Sequence, residues 1–185
     1  MTKVPIVKPK SWRAISHSAY NFLRGYRPDL LKSLGPFPLV DFLEFDLKDL
    51  TGFDFSIGKL PLGIEATTDI AKKELILSEQ TYEGLHHDDG RCRFTLAHEI
   101  GHIFEHGYLH FVSQRCLKAI RFNRGKIKPY MDPEAQANVF AASLLMPQPA
   151  ILRMSEGERT ASNICRLAKV SHEAARIRLD TLEKY

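Results

Sequence analysis

The sequence predicts an α+β fold, and three observations carry that expectation. Apolar residues alternate with polar ones in short runs between residues 53 and 79, the period of half-buried strands. From about residue 91 onward the apolar spacing becomes helical. Strands cluster first and helices follow, which separates this pattern from the strict alternation of a parallel α/β fold. The 185 residues are 44% hydrophobic and 26% charged, a globular composition on a chain long enough to bury a core.

The elements follow in order. Residues 1–10 hold Pro5, Pro9 and three lysines and read as an extended arm. Residues 11–24 form a helix, with Ser11 as N-cap and Gly25 as terminator. Pro28, Gly35, Pro36 and Pro38 then punctuate the chain. Leu39, Leu43, Leu47 and Leu50, with Val40 and Phe42, mark a short amphipathic helix over 38–50 that ends near Gly52. Phe53, Phe55 and Ile57 mark one strand, Leu62, Ile64 and Ala66 a second, and residues 73–79 a third. Gly58, Pro61 and Gly63 lie between the first two, so the expected sheet is small, three-stranded and mostly antiparallel. His86–Gly90 is a polar turn, and helices take over beyond it.

Composition narrows the classes of function. No apolar run approaches the ~18 residues of a membrane span, and the basic N-terminus lacks the apolar stretch of a signal peptide. Cys92, Cys116 and Cys165 are odd in number and show no CxxC spacing. That points to a reducing compartment, with neither a disulfide framework nor a zinc knuckle. A soluble, cytoplasmic protein without a membrane partner is expected. The net charge of +4 permits acidic partners without demanding them.

The chemistry is concentrated in Arg93–His102, which contains HExxH at positions 98–102. On a helix His98 and His102 lie one turn apart on one side, so both imidazoles can reach one metal ion. Glu99 lies about 100° further round, beside the metal and suited to act as general base on water held there. Leu96, Ala97, Ile100, Ile103 and Phe104 fill the opposite face, while Thr95 and His106 share the histidine side. Catalytic zinc generally takes three protein ligands. The pattern HExxHxxGxxH fails here, because Glu105 and Tyr108 stand where its glycine and histidine would be. A carboxylate on the next inward-facing helix, residues 132–146, is the alternative. Asp132 suits the N-cap and Pro133 the first turn. The remainder is nearly all apolar or small, so a glutamate on this buried helix calls for a reason, and Glu134 is the leading third ligand. Asp132 is the weaker choice because its side chain is needed as the cap. Asn138, one turn beyond Glu134, is placed to orient a ligand histidine.

Phe94–His102, followed by Glu134, Ala137, Asn138, Phe140 to Ala142 and Leu144 to Pro147, resembles the ImmA/IrrE family of bacterial and phage zinc metallopeptidases over about residues 60–180. The resemblance implies a zincin-like core, with His98, His102 and Glu134 as Zn2+ ligands and Glu99 as catalytic base. It implies a metalloendopeptidase that cleaves a repressor-type regulator, a helix-turn-helix protein, in stress response or control of mobile elements and phage. The organisation then reads as one metallopeptidase domain over 1–185: arm and helices over 1–60, zincin core over 61–147, and a C-terminal helical pair over 148–185. Tyr108, His110 and Tyr130 are candidates for stabilising the tetrahedral intermediate, with no sequence basis for choosing among them. A peptide would pair along an exposed sheet edge.

Other signals are secondary. Between Glu105 and Asp132 there is no acid, while Arg115, Lys118, Arg121, Arg124, Lys126 and Lys128 form a basic stretch over 115–128. Residues 160–184 have the outline of a helix-turn-helix, with Ser171 as N-cap of its second helix and Arg176 and Arg178 placed to meet phosphates. Either segment offers a weak nucleic-acid contact, though solvated charge and simple packing explain both. His86, His87, Asp88 and Asp89 read as an exposed turn. The competing function is a zincin-fold regulator that binds a protein partner or DNA without proteolysis.

Overall fold

The computed structural model describes residues 7–107 and 128–182. The first helix, α1 (Trp12–Tyr26), starts where Ser11 accepts a hydrogen bond from the Ala14 N–H at 3.1 Å. It runs through Gly25 and stops at Arg27 instead, whose φ and ψ of −141° and 68° leave the helical region. The cause is Pro28, since a residue before proline is driven out of the α region.

The helical segment α2 consists of Leu39–Asp41, a π turn over Phe42–Asp46, and Leu47–Thr51. The wider turn rotates the apolar stripe, so Leu39, Phe42, Leu43 and Leu47 are buried while Leu50 is exposed. Gly52 ends the segment in the left-handed region at φ 74°, which a glycine enters without steric cost.

Strands β1 (Asp54–Ile57), β2 (Ala66–Asp69) and β3 (Glu74–Leu77) form a sheet of order β1-β3-β2. β1 pairs with β3 in parallel, Asp54 opposite Glu74, and β2 pairs with β3 antiparallel, Ala66 opposite Leu77. The sheet is therefore mixed, where the sequence pointed to a mostly antiparallel one. β2 and β3 close as a hairpin, and the longer connection from β1 lets β3 insert between its two predecessors. The second strand also starts later than its apolar alternation suggested. Pro61 and Gly63 close a turn with the Ile64 N–H donating to the Pro61 carbonyl at 2.9 Å, and Leu62 is fully exposed.

A helix that the sequence did not announce, α3 (Glu79–His86), is capped by Ser78. The expected polar turn follows, and Asp89 caps α4 (Gly90–His106) by accepting from the N–H groups of Arg91 and Cys92. Then come α5 (Pro133–Leu145), α6 (Gln148–Arg153), α7 (Ala161–Ala168) and α8 (His172–Thr181). One buried cluster joins Ile15 and Leu23 of α1, Phe42 of α2, Leu75 of β3, Leu96 and Ile100 of α4, Phe140 and Leu144 of α5, and Ile164 and Ala175 of the last two helices. Within it α4 packs along α5, α5 along α1, and β2 along α4. Among the described residues no helix is long and apolar enough to cross a membrane.

Candidate metal centre

Two helices and a strand converge on the HExxH segment. Gly101 lets α4 and α5 approach closely: a Cβ there would lie 2.9 Å from the Ala137 carbonyl oxygen and 3.1 Å from the Ala137 Cα. Ala137 sits between Glu134 and Asn138, one turn along the same helix, so this contact sets how far both reach towards the histidines.

The structure brings His98, His102 and Glu134 together, with one potential ligand atom from each lying within 4.8 Å of the others. His98 Nε2 is 3.1 Å from Glu134 Oε2 and 3.0 Å from His102 Nε2, and His102 Nε2 is 3.5 Å from Glu134 Oε1. Among the described residues this is the one group of histidines, cysteines and carboxylates so arranged. The sequence placed Glu134 on a buried helix, yet its side chain is 61% exposed. The helix is buried along its apolar length, but the Glu134 side chain projects from its first turn, next to Asp132, the cap that accepts from the Glu134 N–H. The two imidazoles facing Glu134, His102 first and then His98, hold its carboxyl well below the usual carboxylate range. At His98 burial disfavours the charged form, but hydrogen bonds to Glu134 and Asn138 and the nearby carboxylates outweigh it, and its pKa is raised. Two imidazoles and a carboxylate with converging lone pairs are the donor set of a catalytic zinc site, so these residues fit a metal ion.

The other side chains fall into place around that trio. His98 Nδ1 is 2.9 Å from Asn138 Oδ1, the contact expected of a residue that orients a ligand ring. Glu99 is buried and makes no contact with the trio within hydrogen-bonding distance; instead Thr68 of β2 donates its hydroxyl to Glu99 Oε2 at 2.6 Å. A cavity of about 430 Å³ opens between β2 and the two helices, lined by Thr67, Thr68, Glu99, His102, His106 and Glu134. A second, apolar groove of about 570 Å³ begins at Thr95 and Asn138 and runs past Phe94, Val139, Ala142 and Ile177.

Thr68 and a buried chain beyond His102 escaped the sequence reading. Thr68 lies in a strand of small polar residues with no motif around it, and only the packing of β2 on α4 reveals its target. His106 was visible on the histidine face, but Gln136, its partner at 3.0 Å, carried no signal. Burial pushes the His106 pKa down to about 4.

Several expected participants lie elsewhere. Tyr130 lines a separate surface cavity with Lys10 and Trp12. Tyr108 and His110 lie outside the described residues, as do Cys116 and all of the basic stretch except Lys128. Arg178 does not meet solvent: it is 2% exposed and donates through Nε to the Met146 carbonyl at 3.0 Å, tying α8 to the end of α5. Arg176 is engaged with Glu173 and Asp180. Ala161–Ala168 and His172–Thr181 are two helices joined by a short turn, with Ser171 capping α8; of the two arginines singled out there, Arg178 is buried and Arg176 is 53% exposed and paired with carboxylates of its own helix. Cys92 is a half-buried thiol whose pKa is pushed up to about 11 by burial and then by its contact with Asp89, which removes thiolate chemistry at neutral pH.

A model of the IrrE N-terminal-like domain family, peptidase M78, matches residues 41–180. No curated protein matches the chain. Among solved structures the fold is similar to that of a Mycobacterium tuberculosis transcriptional regulator, with a TM-score of 0.62 and 17% sequence identity. The alignment covers 91% of this chain and 46% of that one, so this chain spans about half the length of the regulator. At that identity the likeness speaks to fold alone.

Proposed function

Since the chain belongs to the IrrE N-terminal-like family of peptidase M78, we propose that it is a zinc-dependent endopeptidase acting on a regulatory protein. The observation that carries this reading is the convergence of His98, His102 and Glu134 beside a separate, buried carboxylate, Glu99. Three ligands plus a base outside the ligand set are what a hydrolytic centre needs beyond a site that only binds metal. Zinc bound there would lower the pKa of a water molecule towards ~7 and polarise a peptide carbonyl. His98 and His102 would supply Nε2 lone pairs and Glu134 a carboxylate oxygen. Glu99 would remove the proton of the attacking water and deliver it to the departing amine, with Thr68 keeping its carboxylate in line.

The substrate would run along β2. Among the described residues that strand is an edge of the sheet and pairs with β3 alone, so its outer side is placed to add an extended peptide. The apolar groove beyond Asn138 would take up substrate side chains. A repressor-type, helix-turn-helix regulator is the substrate class that the family resemblance favours.

The competing reading is a zincin-fold regulator that acts on a protein partner or DNA by binding alone. A single substitution separates the two. Glu99→Gln retains the three ligands, so zinc content and partner affinity should stay as in the wild type. Cleavage of a candidate repressor should fall by about 10²–10⁴-fold, the usual worth of a positioned base. Relief of repression by the variant without any proteolytic fragment would refute the peptidase and establish the binder.

A further inference from the structure

His102 is held by side chains that no motif contains. Its Nδ1 lies 3.1 Å from His106 Nδ1, and His106 Nε2 lies 3.0 Å from Gln136 Oε1. Gln136 in turn donates through Nε2 to the carbonyls of Lys8, at 3.1 Å, and Tyr130, at 2.8 Å. Carbonyl oxygens only accept, so both amide hydrogens of Gln136 are committed and its oxygen must face His106. His106 therefore carries a hydrogen on Nε2. Two Nδ1 atoms this close accommodate one hydrogen between them, and with Nε2 of His102 turned to the proposed metal that hydrogen is the one on His102 Nδ1, which His106 accepts. The lone pair of His102 is left on Nε2, the atom that faces His98 and Glu134. His106 and Gln136 are 4% and 0% exposed, so both contacts lie away from bulk solvent.

The chain of contacts ends on the N-terminal arm. Residues 7–10 are laid beside the turn before α5 by hydrogen bonds from the Val7 N–H to the Met131 carbonyl and from the Lys10 N–H to the Tyr130 carbonyl. The Lys10 ammonium also meets Glu105, the neighbour of His106, at 2.7 Å. The arm lies outside residues 41–180, the part of the chain that the family model matches.

Resting on the metal-centre reading above, we propose that His106 and Gln136 are positioning residues that fix His102 as the Nδ1–H tautomer and aim its Nε2 at the metal, with the arm as their anchor. His98 is held by a single link to Asn138, whereas His102 is held by a relay whose direction is set at two backbone carbonyls. Ligand-orienting partners of this kind are worth about 10–100-fold in metal affinity.

The test uses the full chain and two readouts that need no substrate. Long-range ¹H–¹⁵N NMR of the wild type reports which ring nitrogen carries the hydrogen. His106 should be protonated on Nε2 in metal-free and zinc-loaded protein, and His102 on Nδ1 when zinc is bound. Zinc affinity, from competition with a chelator, should fall by about 10–100-fold in His106→Phe and Gln136→Met. His106→Asn, which restores an acceptor near the position of Nδ1, should recover most of that loss. Protonation of His106 on Nδ1 in the wild type would overturn the proposal, as would a folded His106→Phe within twofold of wild-type affinity, or no rescue by asparagine. Should both substitutions prevent folding, the wild-type tautomers still decide. A protein that meets these expectations yet cleaves nothing would count against the peptidase and leave the relay standing.

Discussion

At the scale of single residues, the hydrogen bond from Thr68 to Glu99 is the contact with the clearest consequence. A carboxylate that moves a proton must stay aligned with both the water and the leaving nitrogen, and misplacement by about 1 Å is costly. The Thr68 hydroxyl, 2.6 Å from Glu99 Oε2, supplies that alignment. Valine keeps the shape and strand preference of threonine and removes only the donor. Thr68→Val should lower kcat by roughly tenfold, the equivalent of one hydrogen bond to a charged group. KM and zinc content should hardly change, because the residue touches neither the ligand trio nor the apolar groove. Steady-state kinetics beside metal analysis check this, and a kcat within twofold of the wild type would remove Thr68 from the mechanism.

At the scale of elements, the distance between α4 and α5 governs the site. Histidines on α4 and Glu134 with Asn138 on α5 meet only because Gly101 presents bare backbone to Ala137. A methyl group at position 101 would stand 2.9 Å from a backbone oxygen that belongs to a packed helix and cannot swing aside. Overpacking of this sort costs about 1–3 kcal/mol. Gly101→Ala should therefore lower the denaturation midpoint, and it should weaken zinc binding as well, since the displaced helix carries one ligand and the partner of another. Denaturant titration of metal-free protein and chelator competition measure the two effects. Loss of stability with undiminished zinc affinity would show that the helix spacing does not set the ligand geometry.

At the scale of the whole molecule, one buried arginine joins three parts of the chain. Arg93 is 3% exposed and donates through Nε to the Lys169 carbonyl at 2.9 Å and through Nη2 to the Phe37 carbonyl at 2.8 Å. Its third nitrogen, Nη1, faces Asp88 at 3.5 Å. The start of the HExxH helix is thereby tied to the turn between α7 and α8 and to the loop before α2. Arg93→Met keeps the apolar stem but leaves two carbonyls without their donor, at a cost of about 1–3 kcal/mol for each buried group left unsatisfied. The midpoint of unfolding should drop accordingly, while zinc affinity in the folded protein changes little because His98 and His102 lie one to three turns further along α4 and Glu134 lies on α5. A variant as stable as the wild type would mean that water reaches these carbonyls.

The sequence suggested Glu134 as third ligand only as the carboxylate of the next inward-facing helix and through the family resemblance; by itself it determined the α+β class, the HExxH helix with its amphipathic face, and the Asp132 cap. These depend on local period and spacing, and helical geometry translates spacing into a shared face without help from the rest of the fold. The tertiary structure decided what depends on segments far apart in the chain. The insertion of β3 between β1 and β2 is invisible to local alternation, because parallel and antiparallel edges have the same period. Leu50 obeyed the helical pattern and still faces solvent, since a π turn shifted the register before it. Arg178 looked like a phosphate contact and is buried against the Met146 carbonyl. Thr68, Gln136 and the Lys8 carbonyl entered the site only through packing: a hydrogen bond between residues 31, 30 or 128 positions apart leaves no trace in either local sequence.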